Sequence, residues 1–310
     1  EPGDFDHDAD MAELVEKHML KVHALDHMIA CRRSDMEELA PQGAQFPLSS
    51  GHTREAESSM ATLLCTALRN ALEADVAMLE GGTVRAGSNK YEERITMSDL
   101  KAELPFKNET LVVKMPGSVL SDAVRTSREK AREKGKYAFF LHLDRDCEVD
   151  QETLEVVKVV GQDLDPDKLY SVALVIDLGI GSGVNEPLMR WAATAGDAIP
   201  DQEFAVPAAQ ALDVYFLRRL WKHLPSFEEI DTGRDGYLTC DEIRDAYTSV
   251  FFPGSGKLGT TQKMAIAMMV EHLTRVLDKA GDSQVSREEY DEWKSRGTLV
   301  RIGPTEQFTE

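Results

Sequence analysis

Residues 231–242 read Asp231-Thr232-Gly233-Arg234-Asp235-Gly236-Tyr237-Leu238-Thr239-Cys240-Asp241-Glu242. Counted from Asp231, side-chain oxygens stand at positions one (Asp231), five (Asp235), nine (Thr239) and twelve (Glu242). Tyr237, at position seven, offers its backbone carbonyl, and Gly236 stands at position six, where such a loop turns sharply. Leu238 stands at position eight, where an apolar residue pairs with a neighbouring loop. Hard divalent cations of calcium size take six to eight oxygens, and a Glu at position twelve can give two. Position three is Gly233, which has no side-chain ligand, so water must supply that oxygen and the site is expected to be weak.

This is the spacing of an EF-hand loop, and its flanks agree. Residues 208–230 carry Leu212, Tyr215, Phe216, Leu220 and Phe227 at helical spacing, and Ile243, Ala246, Tyr247 and Val250 continue the pattern after the loop. A second loop begins 47 residues on, at 278–289. Asp278, Asp282, Ser286 and Glu289 repeat positions one, five, nine and twelve; Gln284 stands at seven and Val285 at eight. Ala280 gives no ligand at position three, and Ser283 replaces the turn glycine. A helix over 261–277 separates the loops, with an insertion over 252–259. The spacing predicts an EF-hand pair joined at the two position-eight residues. The second loop either binds metal or braces the first.

The chain has 310 residues, 42% of them apolar and 29% charged, enough for two or three domains with cores. Its net charge of -20 suits a cation as partner and argues against nucleic acid or an anionic membrane surface. No apolar run approaches the roughly 20 residues that span a bilayer. Cys31, Cys65, Cys147 and Cys240 are dispersed, which is neither a zinc site nor a disulfide framework and points to a reducing, intracellular compartment.

Along the chain, residues 1–9 read as an acidic tail, and Met11, Leu14, Val15, Met19 and Val22 mark a helix over 10–23. Residues 25–32 read as extended and 52–73 as a helix. A buried strand over 73–79 follows, ended by Gly81-Gly82. Leu111–Met115 is a strand, and Leu120–Lys134 is a helix stopped by Gly135. Further strands are expected over 139–143, 153–160 and 170–176. Interleaved strands and helices predict a mixed, layered α/β domain over 25–195. Residues 1–24 form a tail and linker helix, 196–207 a linker, 208–295 an all-α EF-hand lobe and 296–310 a tail.

Several ordered segments of the α/β part resemble the C-terminal, substrate-binding domain of the 5'-nucleotidase family. Residues 53–63 (TREAESSMATL) are similar to its Arg-x-x-Glu helix start. Residues 74–85 (ADVAMLEGGTVR) are similar to its "ADVALxNGGGIR" strand and turn. Residues 95–106 (ITMSDLKAELPF) are similar to "ITxxDLxxxLPF", and 170–173 (YSVA) to its "YxVA" strand. In that family the domain holds the nucleotide while an N-terminal metallophosphatase domain cleaves it. The resemblance implies that Arg54 and Arg85 meet the substrate's anionic end and that Phe106 stacks on its base.

The chain departs from the pattern in three places. Glu80 stands where the family has Asn, and its charge repels a phosphate. The segment 178–185 (LGIGSGVN) keeps glycines but lacks the second stacking Phe, which costs about 1–3 kcal/mol of stacking. The Asp-x-His and Gly-Asn-His motifs of a two-metal phosphatase are missing, and the eight histidines form no metal set. Gly254-Ser255-Gly256-Lys257 is not a phosphate loop. The resemblance therefore implies the C-terminal part of a calcium-binding 5'-nucleotidase-like phosphohydrolase, inactive by itself. Divalent metals for catalysis would belong to an upstream domain. The competing reading is a non-catalytic, calcium-responsive subunit of a larger protein assembly.

Overall fold

The computed structural model describes residues 28–85, 90–176, 184–252 and 259–296, with Met11, Leu14, Val15 and Met19 as separate helical positions. Side chains of Leu220, Trp221, Lys222, Thr261, Met264, Ala265, Met268, Met269, His272, Leu273, Val276 and Arg296 are not described. Outside the described residues lie the acidic tail, Val22, His18, His23 and His27, most of the 178–185 segment, most of the 252–259 insertion and the C-terminal tail.

The chain divides into two compact units: residues 31–95 with 99–217, and residues 218–296 with 28–30 and 96–98. In the first, a mixed five-stranded sheet carries the core. Its strands are β3 (Val76–Glu80), β6 (Glu109–Pro116), β7 (Leu141–Leu143), β11 (Leu169–Val175) and β12 (Val206–Pro207), in the order β12-β6-β11-β3-β7. Only β11 and β3 run parallel, with Val172 opposite Val76 and Leu174 opposite Met78. Both central strands are buried almost throughout, as expected of strands covered on both faces.

Helix α2 (Ser59–Ala71) lies against β3 and β7 with ten of its residues buried. It begins seven residues later than the expected 52. Thr53 is held out of the helix, because its hydroxyl donates to the Gly81 carbonyl and its own carbonyl bonds the His142 ring. Helix α4 (Gly117–Lys134) buries Leu120, Ala123, Val124, Ser127, Arg128 and Ala131, a stripe of helical period. Gly135, at φ +73, ends it. The small strands β8 (Glu148–Val149), β9 (Val156–Val159) and β10 (Gln162–Asp163) form a separate antiparallel sheet. The expected strands over 139–143 and 153–160 shorten to β7 and β9. The linker at 196–207 holds two 3-10 turns and then β12, which pairs with the edge of β6.

The sequence pattern of one helix over 208–230 is corrected by the structure. Helix α6 (Ala208–Lys222) stops, and a separate turn, α7 (Phe227–Ile230), starts after Pro225. Proline disfavours helical geometry at the residue before it, and Ser226 opens a fresh helix through a capping box with Glu229. The division between the two units falls inside α6, between Leu217 and Arg218. The second unit continues with α8 (Cys240–Phe251), α9 (Thr260–Leu277) and α10 (Arg287–Arg296). Tyr247 and Phe251 stack at 4.0 Å in its core.

Candidate functional site

Both loops of the helical unit fold as the spacing predicts. Their position-eight residues pair in a short ladder of β13 (Tyr237–Leu238) and β14 (Val285–Ser286), with Leu238 opposite Val285 and both fully buried. Each loop needs left-handed backbone at positions four and six. The first supplies Arg234 (φ +53) and Gly236 (φ +85), the second Gly281 (φ +74) and Ser283 (φ +66). The glycine has changed places between the loops while the backbone has not.

The first carboxylate of each loop is held by backbone donors. Asp231 accepts from the Asp235 and Gly236 amides at 3.2 and 3.0 Å, and Asp278 from the Asp282 and Ser283 amides at 3.2 and 2.8 Å. Asp235 and Asp282 each accept from the amide two residues on, at 3.0 Å. Asp231 is buried and Asp278 half-buried. The Glu242 carboxylate takes the Thr232 hydroxyl (2.8 Å) and Gly233 amide on one oxygen, and the Thr239 amide and hydroxyl on the other. Glu289 repeats this with the Lys279 and Ala280 amides and with Ser286.

Burial tends to raise the Glu242 carboxyl, yet these hydrogen bonds outweigh it and bring it down to about 2. For Glu289 the Ser286 hydroxyl and amide lead, again to about 2. Thr239–Glu242 and Ser286–Glu289 are also capping boxes that start α8 and α10. Helix initiation alone accounts for positions nine and twelve. It does not account for Asp231, Asp235, Asp278 and Asp282.

The donor set suits calcium in kind, since every predicted ligand is an oxygen. Asp231, Asp235, Thr239, Glu242 and the Tyr237 carbonyl would hold the ion in the first loop; Asp278, Asp282, Ser286, Glu289 and the Gln284 carbonyl would do so in the second. Among the described residues, no three His, Cys, Asp or Glu side chains are already gathered closely enough to hold a metal. Binding must exchange the hydroxyl bonds of Glu242 and Glu289 for the ion. A Cβ at Gly233 would lie 3.6 Å from a Glu242 oxygen and 3.8 Å from an Asp235 oxygen, so position three faces these carboxylates but brings no ligand.

In the α/β unit, Arg85 and Phe106 come together, the guanidinium 4.9 Å from the ring centroid. Phe106 is 46% exposed, leaving ring surface open. Arg54 is placed by its backbone: its carbonyl accepts from the Tyr137 amide at 2.7 Å, and Gly81 packs so closely on Thr53 that a Cβ there would lie 2.0 Å from the Thr53 oxygen. Among the described residues neither Arg54 nor Arg85 has a carboxylate partner. Glu80 accepts the Thr83 hydroxyl at 3.2 Å. A separate cavity of about 390 Å³ lies between residues 41–45, the start of α2 and the turn after β7, and none of the three predicted substrate residues lines it. Its charged walls are engaged elsewhere, Asp144 with Arg69 and Arg145 with the Glu37 carbonyl.

Sequence reading missed Arg287, Tyr290 and Lys294 of α10, which bond the segment entering the first loop. Their i, i+3, i+7 spacing was the available signal.

The 5'-nucleotidase C-terminal domain model matches residues 37–180, and the EF-hand domain pair model matches 222–293. The NAD nucleotidase of Haemophilus influenzae superposes with a TM-score of 0.50 at 17% identity, covering 69% of this chain and 40% of that one. The 5'-nucleotidase precursor of Thermus thermophilus gives a TM-score of 0.47 at 17% identity, covering 66% and 39%. The chain thus spans about two fifths of the solved structures it matches. No curated protein sequence matches it. The mixed five-stranded unit is a 5'-nucleotidase C-terminal domain, and an EF-hand pair follows it in the same chain.

Proposed function

We propose that this chain is the nucleotide-holding, calcium-binding part of a 5'-nucleotidase-like phosphohydrolase, with cleavage carried out by a metallophosphatase domain outside these 310 residues. One observation carries the nucleotide half. In a chain of net charge -20, Arg54 and Arg85 remain without carboxylate partners among the described residues, and Arg85 lies over the open ring of Phe106. Guanidinium groups left unpaired amid so many acids are suited to an anionic ligand, and the ring to a base.

The test is a calorimetric titration of the chain with AMP. Weak binding, lost in both Arg85→Ala and Phe106→Ala, is expected. Tight binding that survives Phe106→Ala would place the ligand elsewhere, and no binding at millimolar AMP would remove the nucleotide half.

Glu80 favours a second reading, a non-catalytic calcium-responsive subunit. It puts a negative charge at the end of β3, just before the turn that leads to Arg85, where the family has a neutral Asn. Under either reading the chain by itself does not hydrolyse nucleoside monophosphates with magnesium, manganese or zinc, because the Asp-x-His and Gly-Asn-His ligands are missing from its sequence. Turnover abolished by Arg85→Ala would contradict both.

A further inference from the structure

Helix α7, which leads into the first loop, is four residues long. A single turn is not stable in isolation, because helix nucleation costs more than one turn of hydrogen bonds returns. Its capping box fixes only its start. Yet α7 sets the first ligand, since the Asp231 amide donates to the Phe227 carbonyl at 2.8 Å. The other hand of the pair bonds α7 as well.

Three side chains along one face of α10 grip the entering segment. The Arg287 guanidinium lies 4.9 Å over the Phe227 ring and pairs with Glu228. The Tyr290 hydroxyl donates to the Pro225 carbonyl at 2.8 Å, and its buried ring meets Phe227 edge-on at 6.1 Å. The Lys294 ammonium donates to the Leu224 and Pro225 carbonyls, both at 3.0 Å. These carbonyls lie in the stretch between α6 and α7, outside either helix. Glu289, on the same helix, is turned into the second loop. Cys240, at position ten of the first loop, donates to the Thr274 hydroxyl at 3.5 Å in the helix entering the second. Arg287 and Phe227 occupy the matching positions, position ten and the fourth residue before the loop.

We propose that Arg287, Tyr290 and Lys294 are positioning residues for the first loop: through them the second hand holds α7, and with it Asp231, in place. The effect on calcium rests on the calcium reading; the hold on α7 does not. The hold on α7 does not require the second loop itself to take up an ion.

The test uses the full chain and the variant Arg287→Gln/Tyr290→Phe/Lys294→Gln, which keeps the buried ring. Amide hydrogen exchange over 227–231 without metal is expected to quicken at least tenfold in the variant. Calcium binding, followed by NMR at the Gly236 amide, is expected to weaken about fivefold, at the lower end of usual coupling factors. That weakening must occur although two positive charges have been removed, a change that by itself favours a cation. Unchanged exchange overturns the hold on α7. Quicker exchange with unchanged or tighter calcium binding overturns the positioning role. If the wild-type chain takes up no calcium while exchange quickens in the variant, the hold stands and the calcium reading falls.

Discussion

Asp144 of the α/β unit and the ligand-position carboxylates of the helical unit are held in opposite ways. In the α/β unit, Asp144 is buried against a cation: Arg69 bonds it at 2.7 Å and Asp146 at 2.6 Å, and the Ala77 amide of β3 takes its second oxygen at 3.1 Å. Among the described residues of the helical unit, the carboxylates at loop positions one, five and twelve have no cationic side chain as their main partner. Backbone amides and hydroxyls hold them, at a partly exposed surface. A carboxylate already paired with arginine offers little to a metal ion. One held by neutral donors keeps its full negative charge available. The difference separates charge used for folding from charge kept for a ligand.

The largest expected effect lies in the α/β unit. Arg69→Ala leaves Asp144 buried without its cation and is expected to cost about 3 kcal/mol in denaturant unfolding of that unit. The Gly236 amide signal in the same sample should not move. A loss below about 1 kcal/mol would show that the backbone bonds alone satisfy Asp144.

Acid should separate the units next. Burial drives the His142 ring down to about 4, against the opposing pull of its bond to the Thr53 carbonyl. The folded value lies below the unfolded one, so the neutral ring supports folding fully above about pH 6.5. That support is lost as pH falls from about 6.5 to 4, as the unfolded chain takes the proton first, and it amounts to roughly 3 kcal/mol. Glu242 and Glu289, also lowered, to about 2, keep their support until pH falls below about 4.5 and lose it towards 2. Unfolding followed separately in each unit should show the α/β unit weakening first, and His142→Gln should flatten its dependence above pH 4. Loss of both units in a single step near pH 3 would contradict this.

The smallest effect concerns the turn. Ser283, at φ +66, adopts backbone that costs a side-chain-bearing residue about 1–2 kcal/mol, partly offset by the entropy glycine loses on folding. Ser283→Gly is expected to stabilise the helical unit by about 0.5–1 kcal/mol, read as a shift of its thermal midpoint. The matching change in the first loop, Arg234→Gly, should act in the same direction. A loss of stability in both would mean that these residues are held by contacts other than the backbone geometry.

Much of this was legible in the sequence because it rests on local spacing. The loop positions, among them the two position-eight residues that pair, and the run from β3 through the Gly81-Gly82 turn follow from spacing within short segments. What was not legible depends on distant partners. Helix α2 starts late because Thr53 is claimed by Gly81 and His142, and nothing near residue 52 announces this. The break between α6 and α7 was signalled by Pro225, but the regular apolar spacing of Leu212, Phe216 and Phe227 concealed it, since Leu212 and Phe216 belong to one unit and Phe227 to the other. Arg85 and Phe106 were matched through a family pattern; their approach to 4.9 Å is a product of folding.

The claim that the loop carboxylates are kept for a cation is tested most directly by calcium titration of the full chain, with wild type, Glu242→Gln and Glu289→Gln compared in one calorimetric series. The account predicts wild-type dissociation constants of roughly 10⁻⁵ to 10⁻³ M, because neither loop has a ligand at position three. It predicts that Glu242→Gln removes most of the binding, and that Glu289→Gln removes less. No uptake at millimolar calcium, or binding that Glu242→Gln leaves unchanged, would contradict it.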